Sequence, residues 1–249
     1  MRVSGERVST PAGGFRPTWE RHVAAYAAAA DLLPQGRVLD LGCGVGHSFE
    51  LLAPRETVGV DVSEEALAGQ ERATIVADMR ELPLTSESFA SVLSVQSIEH
   101  VPNPERVVAE ARRVLVPGGT AVFVTPNRLT FGPPDEIVDP YHHVEFDEGA
   151  LRSLCAAAFD DVELRGLFGS ERYLAIVARE RTRLDALLRR DPLRVRRLVP
   201  RRLRQLAYDR MLRRARAVAE PDEQAIEVSD FELRGGPLDG ALDLFAICR

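Results

Sequence analysis

The most constraining feature of the sequence is a short apolar segment that runs directly into three alternate glycines. Residues 38–46 read VLDLGCGVG, a strand pattern followed by Gly42, Gly44 and Gly46. Glycines permit tight turns and a close approach of ligand to main chain, and a helix that follows offers free N–H groups. The spacing is not the G-x-G-x-x-G of dinucleotide sites, and the Asp40 carboxylate would repel a pyrophosphate. The loop therefore favours a ligand with an ammonium or sulfonium group.

Short apolar strands alternate with helical segments on both sides of this loop. Strands are predicted at 37–41, 57–62, 74–77, 89–95, 120–125, 161–167, 230–234 and 241–248, and helices at 20–33, 48–53, 63–68, 104–115 and 147–158. Ser63 is the expected N-cap of the third of these helices, and a turn is expected at 117–119. Such alternation predicts a parallel sheet that is covered by helices on both faces.

Acidic residues follow the second and third strands. Asp61 ends the second strand, 19 residues after Gly42, where a carboxylate can accept hydrogen bonds from both hydroxyls of a ribose. Asp78 can accept a bond from an exocyclic amine, and the neighbouring Met79 thioether can pack on a flat base. These residues together describe a pocket for an adenosine with a charged amino-acid tail, at the carboxyl ends of the strands.

Composition excludes several other classes of protein. All 32 basic residues are arginine, so a Schiff-base lysine, a P-loop lysine and a kinase strand lysine are all ruled out. The net charge of −6 argues against a nucleic-acid partner,. Three widely spaced cysteines, no signal-peptide pattern and no apolar run of membrane-spanning length predict a cytoplasmic protein,.

Six segments follow one another along the chain: VLDLGCGVG (38–46), GVD (59–61), AD (77–78), SVLSVQSIEHVPNPE (91–105), RRVLVPGGTAVFVTPN (112–127) and YHHVEF (141–146). In this order they resemble the class I S-adenosylmethionine-dependent methyltransferases. The resemblance implies a Rossmann-like α/β fold with a seven-stranded, mostly parallel sheet, the last strand antiparallel. It also implies S-adenosyl-L-methionine as the cofactor. The cofactor-binding residues expected on this basis are Asp40, Gly42, Cys43, Gly44, Gly46, Asp61, Val62, Asp78, Met79, Val95 and Gln96.

Three histidines are the candidates for catalysis. His100 follows the fourth strand, and His142 and His143 lie in the loop after the fifth. A hydroxyl acceptor needs a base to remove its proton, whereas a carboxylate acceptor needs none. Some related O-methyltransferases bind a metal through positions that correspond here to Gln96, Glu99, His100 and His143. The amide of Gln96 removes one negative charge from that set, so no metal is expected.

The whole chain is expected to form one domain, 1–249. Its predicted parts are an N-terminal helical cap (1–36), a cofactor-binding core (37–168), an Arg-rich helical insertion (170–225) and final strands (228–249). Residues 179–216 hold 15 of the arginines and four acids. They form either a solvated basic face or a lid or docking surface for an anionic acceptor, carrier or membrane headgroup. The last helix of this stretch places an apolar stripe on one face: Leu203, Leu206, Ala207, Met211, Ala215 and Val218.

The sequence therefore predicts an enzyme that transfers a methyl group by direct displacement to a small-molecule acceptor, through an oxygen of a hydroxyl or a carboxylate. Two alternatives stay open at this stage. One is an NAD(P)-dependent Rossmann oxidoreductase, and the other is a non-catalytic module that binds S-adenosylmethionine. The oligomeric state is not predicted.

Overall fold

The computed structural model describes residues 16–46, 49–132, 137–188, 191, 198–215 and 221–249. Several expected features lie partly outside these residues. They are residues 1–15 of the expected cap, His47 and Ser48 after the glycine loop, and 189–190, 192–197 and 216–220 of the expected insertion.

One eight-stranded sheet organises the chain. Its strands are β1 Val38–Leu41, β2 Thr57–Asp61, β3 Ala73–Val76, β4 Phe89–Val95, β5 Leu115–Pro126, β6 Val162–Gly169, β7 Phe231–Arg234 and β8 Asp243–Cys248. The spatial order is β3-β2-β1-β4-β5-β8-β6-β7. The neighbours from β3 to β5 pair in parallel, and β8 is antiparallel to both β5 and β6.

Helices cover both faces of this sheet. The described α-helices are α1 Arg16–Leu32, α2 Glu64–Leu67, α3 Pro104–Val114, α4 Arg128–Phe131, α5 Glu148–Ala156, α6 Glu171–Leu188, α7 Arg201–Ala215 and α8 Pro221–Gln224. Short 3₁₀ turns occupy Phe49–Leu52, Ile98–His100 and Val228–Asp230. The Ser63 hydroxyl accepts from the backbone N–H of Ala66, which confirms the predicted N-cap of α2.

Alternation along the central strands divides the core between the two faces. On β5, Phe123 joins the cluster that includes α3 and α5, whereas Val122 and Val124 join the cluster under α1. All three side chains are fully buried. Because successive side chains point to opposite faces, a strand buried on both sides reads as the continuous apolar run seen in the sequence.

The predicted Rossmann-like α/β fold is confirmed, with one strand more than the expected seven. Phe231–Arg234 pairs antiparallel with β6 and becomes the edge of the sheet. Residues 117–119, expected as a turn, lie within β5. The pairing of β5 with β4 moves from Leu115 opposite Phe89 to Thr120 opposite Ser91, so the glycines fill an irregularity inside the strand,.

Helix α7 packs differently from the amphipathic helix that its sequence predicts. Its polar side chains contact the loop at 139–143, whereas Leu203 and Leu206 of the predicted apolar stripe are 55% and 62% exposed. In the part of the chain that the structure describes, no helix is long and apolar enough to cross a membrane.

Candidate functional site

A cavity of about 410 Å³ opens at the carboxyl edge of the parallel strands. This lies within the roughly 300–1,000 Å³ that small-molecule sites occupy. Part of its wall comes from residues 42–45 and the ends of β2 and β3, here called the glycine-loop half. The remainder comes from the ends of β4 and β5, from α1, from residues 99–102 and 139–142, and from α7. The two loop segments 98–102 and 139–146 are together called the histidine half.

The three glycines have different roles. Gly42 has φ +68°, and a Cβ there would lie 2.4 Å from the Cβ of Ser97, so a side chain cannot fit. Gly44 has φ +54°, and a Cβ there would meet nothing within 4 Å, since the residue faces the open cavity. Gly46 lies outside the cavity lining; its Cβ would instead strike the side chain of Gln70. Gly44 thus leaves open space in which a ligand can contact the main chain of the loop.

Asp61 connects the end of β2 to the glycine loop. One carboxylate oxygen accepts from the Gly44 N–H at 3.0 Å, and the other from the Ser63 N–H at 2.8 Å. The residue is buried and lines the cavity. These two backbone donors orient the Asp61 carboxylate at the edge of the cavity, and a carboxylate oxygen can accept more than one hydrogen bond.

Asp40 does not lie where the sequence interpretation placed it. Its side chain is buried outside the cavity lining, where it accepts from Arg72 Nη1 at 2.8 Å and from the Tyr26 hydroxyl at 3.0 Å. Burial raises the pKa of Asp40, and Arg72 opposes that shift. The Arg72 guanidinium therefore balances the charge of this carboxylate, and the pair lies behind the glycine loop.

The other expected cofactor residues line the cavity: Cys43, Val62, Asp78, Met79, Val95 and Gln96. Burial raises the pKa of the Cys43 thiol to about 12, so it stays a neutral, unreactive filler,. Arg80 forms a salt bridge with Asp78 and lowers the pKa of that carboxylate. The Gln96 amide donates to Asp243 Oδ1 at 3.0 Å. Asp78 and Gln96 therefore already have protein partners.

Two of the three candidate histidines line the cavity, and His143 does not. His143 is exposed beside the guanidinium of Arg201, and partial burial together with that charge lowers its pKa. His142 is buried, and its Nδ1 lies 3.2 Å from Glu145 Oε1. Despite its burial, the pKa of His142 is raised by the hydrogen bond to Glu145 and by the carboxylate of Glu99.

Glu99 is the most unusual titratable group of the histidine half. It is 1% exposed, and only its Oε2 has a partner, the Thr125 hydroxyl at 3.2 Å. Within the described residues, Oε1 has no hydrogen-bond partner. Burial raises the pKa of Glu99 to about 7. A carboxyl group in this state can bind or release a proton near neutral pH.

The structure groups a different set of potential metal ligands from the set suggested by sequence, because Gln96 is left out and His142 takes the place of His143. Ligand atoms of Glu99, His100 and His142 lie within 4.8 Å of one another, whereas the expected Gln96 bonds to Asp243 and the expected His143 faces Arg201. The three grouped side chains could hold a divalent ion, since carboxylate and imidazole are both suitable ligands.

Sequence reasoning missed an ion pair beside the cavity. Arg21 of α1 lines it and donates to both oxygens of Asp243, at 2.7 and 2.6 Å, and to the Leu242 carbonyl. Tyr208 of α7 also lines the cavity and donates to Asp139 at 3.0 Å. Only the charged start of an otherwise Ala-rich helix marked Arg21 in the sequence, and nothing distinguished Tyr208 from its neighbours.

Comparison with known proteins identifies relatives of this site. Residues 39–123 match the family described as Methyltransferase domain. A probable S-adenosylmethionine-dependent methyltransferase of Mycobacterium tuberculosis is 35% identical over 189 residues, which cover 72% of this chain and 69% of the relative. A ubiquinone biosynthesis O-methyltransferase of Hahella chejuensis is 38% identical over 110 residues, 39% of this chain and 45% of the relative.

A solved structure supports the fold. The crystal structure of an S-adenosylmethionine-dependent methyltransferase from Thermotoga maritima aligns with a TM-score of 0.60 and 20% identity, over 92% of this chain and 90% of that one. At this identity the likeness concerns the fold alone.

Proposed function

The chain belongs to the S-adenosylmethionine-dependent methyltransferases, and on that premise we propose that it methylates an oxygen of a small-molecule acceptor with His142 as the general base. S-adenosylmethionine is the cofactor, so the alternative of an NAD(P)-dependent oxidoreductase no longer applies. The observation that carries the proposal is that His142 lines the cavity and is paired behind it with the buried Glu145. The Hahella relative named an O-methyltransferase adds support for oxygen.

The glycine-loop half fits the cofactor. Gly44 leaves space for it, Asp61 offers two oxygens to its ribose, and Val62 with Met79 offers apolar contact to its base. Bound S-adenosylmethionine supplies a methyl group on a positively charged sulfur, and the departing thioether is neutral. The protein therefore needs no acid for the leaving group, and its task is to position and deprotonate the acceptor.

The histidine half supplies the proton acceptor. Glu145 holds the His142 ring through Nδ1 at 3.2 Å, which leaves Nε2 as the nitrogen that takes the hydroxyl proton. The resulting imidazolium is stabilised by Glu145 and by the nearby Glu99. Phe131 packs against the same ring at 5.0 Å between centroids and limits its rotation. The arrangement thus orients one imidazole and tolerates its positive charge.

The test uses methyl-labelled S-adenosylmethionine with a library of hydroxyl- and carboxyl-bearing metabolites. Once an acceptor is found, His142→Ala should lower kcat by roughly 10²–10⁴, while calorimetry with S-adenosylhomocysteine shows nearly unchanged cofactor affinity. His143→Ala is the matched control and should retain turnover, because that ring lies outside the cavity lining. Full turnover by His142→Ala would refute the base assignment and favour a carboxylate acceptor. Absence of methyl transfer to any member of the library would favour a non-catalytic binding module.

A chelation experiment addresses the metal question at the same site. We propose that catalysis needs no metal, since His142 is already engaged by Glu145. Activity should survive exhaustive chelation. Loss of activity that a divalent ion restores would assign Glu99, His100 and His142 to metal binding instead.

A further inference from the structure

Helix α7 attaches to the rest of the chain through its polar side. Arg201 donates to the carbonyls of Pro140 and Tyr141 at 2.7 and 2.8 Å. Tyr208 donates to Asp139, and Tyr141 donates to Asp209 at 2.9 Å. Residues spaced by seven and eight positions share a helix face, so this contact surface is the face of Arg201, Tyr208 and Asp209.

The opposite face of α7 carries leucines and arginines that are exposed. Leu203 is 55% exposed and Leu206 is 62% exposed, and Arg202 and Arg210 are exposed beside them. Leu198, just before the helix, is 84% exposed. A globular helix normally buries its apolar stripe, so this helix holds its leucines outward at a cost that some other surface must offset.

The charge of this region restricts what that surface can be. Residues 179–216 carry 15 arginines and four acids, a net charge of +11, in a chain whose total is −6. A second copy joined about a twofold axis would place the same arginines against one another, and like charges repel. The partner must therefore be anionic and must also accept leucine side chains.

We propose that the outward face of α7, together with Leu198, binds an anionic phospholipid surface. Exposed arginines beside exposed leucines offer the two contacts that an anionic lipid surface provides, because basic groups can contact headgroups while apolar side chains enter the acyl boundary. A lipid surface needs no shape complementarity, so it can accept this small mixed patch, which is less suited to a protein partner.

The proposal goes beyond methyl transfer but has a consequence for the site. Tyr208, on the attached face of α7, lines the cavity. A lipid surface at the outward face would therefore lie one helix diameter from the cavity wall, roughly 10 Å. Acceptors concentrated at that surface would be delivered close to the site.

The experiment measures sedimentation of the full-length protein with vesicles of phosphatidylcholine and phosphatidylglycerol, with pure phosphatidylcholine as reference. Binding should occur to the anionic vesicles only, and should weaken when salt is raised from ~0.1 M to ~1 M, because the screening length falls from ~10 Å to ~3 Å. The double substitution Leu203→Glu with Leu206→Glu should lower the partition coefficient by at least roughly tenfold.

Matched variants separate charge from position. Leu51→Glu with Leu174→Glu adds the same two charges at other exposed apolar positions and should bind as the wild type does. Arg202→Lys with Arg210→Lys should retain binding, and Arg202→Glu with Arg210→Glu should lose it. Affinity for S-adenosylhomocysteine checks folding and stays intact throughout, so a failure here is distinguishable from a failure of the proposed function.

Three results would overturn the proposal. One is equal binding to neutral and anionic vesicles or to neither. Another is anionic binding that the Leu203→Glu, Leu206→Glu variant leaves unchanged. The third is a dimer in sedimentation velocity that this variant dissociates, since a second copy would then cover the face.

Discussion

The two halves of the cavity differ in whether every buried carboxylate oxygen has a hydrogen-bond partner. In the glycine-loop half, Asp61 accepts two backbone N–H groups, and Asp40 behind it is matched by Arg72 and Tyr26. In the histidine half, Glu99 Oε1 and Glu145 Oε2 have no hydrogen-bond partner within the described residues. Carboxylates whose oxygens are all hydrogen-bonded hold the surrounding backbone in one geometry. Carboxylates with an unpaired oxygen remain able to exchange protons or bind a ligand.

The difference fits the two tasks of the proposed reaction. S-adenosylmethionine is already activated, so the half proposed to hold it needs a rigid frame. A hydroxyl acceptor would have to lose a proton, so the half proposed to hold it needs groups that titrate near the working pH. The comparison predicts that substitutions behind the glycine loop act on stability, and that substitutions in the histidine half act on proton equilibria.

The largest effect is expected from breaking the Asp40–Arg72 pair. Both side chains are nearly fully buried, so Arg72→Met leaves an uncompensated charge and should lower the free energy of unfolding by about 3–5 kcal/mol. Arg106→Met removes an exposed partner of Glu81 and should cost at most about 1 kcal/mol. Denaturant unfolding measures both. Equal losses in the two variants would show that the buried pair does not frame the loop.

Glu99→Gln should raise the free energy of unfolding relative to wild type at high pH, whereas Arg72→Met lowers it. Burial raises the pKa of Glu99 to about 7 from 4.5, so its stabilising contribution is complete below pH 4.5 and is lost as pH rises through 7. The amide cannot ionise, and relative to wild type the variant should gain on the order of 3 kcal/mol between pH 4.5 and pH 8. Unfolding curves at the two pH values test this. A difference between variant and wild type that does not change with pH would contradict the burial of an ionising group.

Asp61→Ala tests the glycine-loop half through binding. If Asp61 accepts two ribose hydroxyls as proposed, its loss should weaken the binding of S-adenosylhomocysteine by at least roughly a hundredfold, since hydrogen bonds to a charged group contribute about 1.5–3 kcal/mol each. Asp61→Asn keeps one acceptor oxygen and should lose less. Titration calorimetry measures both values. Unchanged affinity in the alanine variant would remove Asp61 from the cofactor site.

The fold could be predicted because its signals are local. Apolar runs such as 89–95 became β4 with the predicted bounds, and Ser63 caps α2 as its sequence position indicates. The strand that was not expected in the sheet, β7, lies at its edge, where its pairing depends on β6. Strand propensity at 230–234 was visible in the sequence, but its place in the sheet was not.

The position of a site residue could be predicted only where it follows from the residue's own strand end. Asp61 is such a residue, because the end of β2 determines its position at the cavity. The partners of Asp40 could not be predicted, because Arg72 and Tyr26 lie 32 and 14 residues away. The choice between His142 and His143 depends on a neighbour from α7, Arg201, whose approach adjacent sequence positions cannot reveal.

The smallest effect, and the sharpest distinction, concerns those two adjacent histidines. Glu145 raises the pKa of His142 above 6.5, whereas partial burial and Arg201 lower the pKa of His143 below 6.5. In ¹⁵N-histidine NMR titrations, His142 should therefore titrate at the higher pH. Glu145→Gln removes the acceptor charge and should lower the His142 midpoint without moving that of His143, and Arg201→Gln should raise only the His143 midpoint. Because a histidine with a raised pKa stabilises the fold most in its protonated form, the Glu145→Gln variant should lose stability chiefly below pH 6.5. A His142 midpoint at or below that of His143 would show that the histidine half does not hold a proton at this ring, and the base would have to be sought elsewhere.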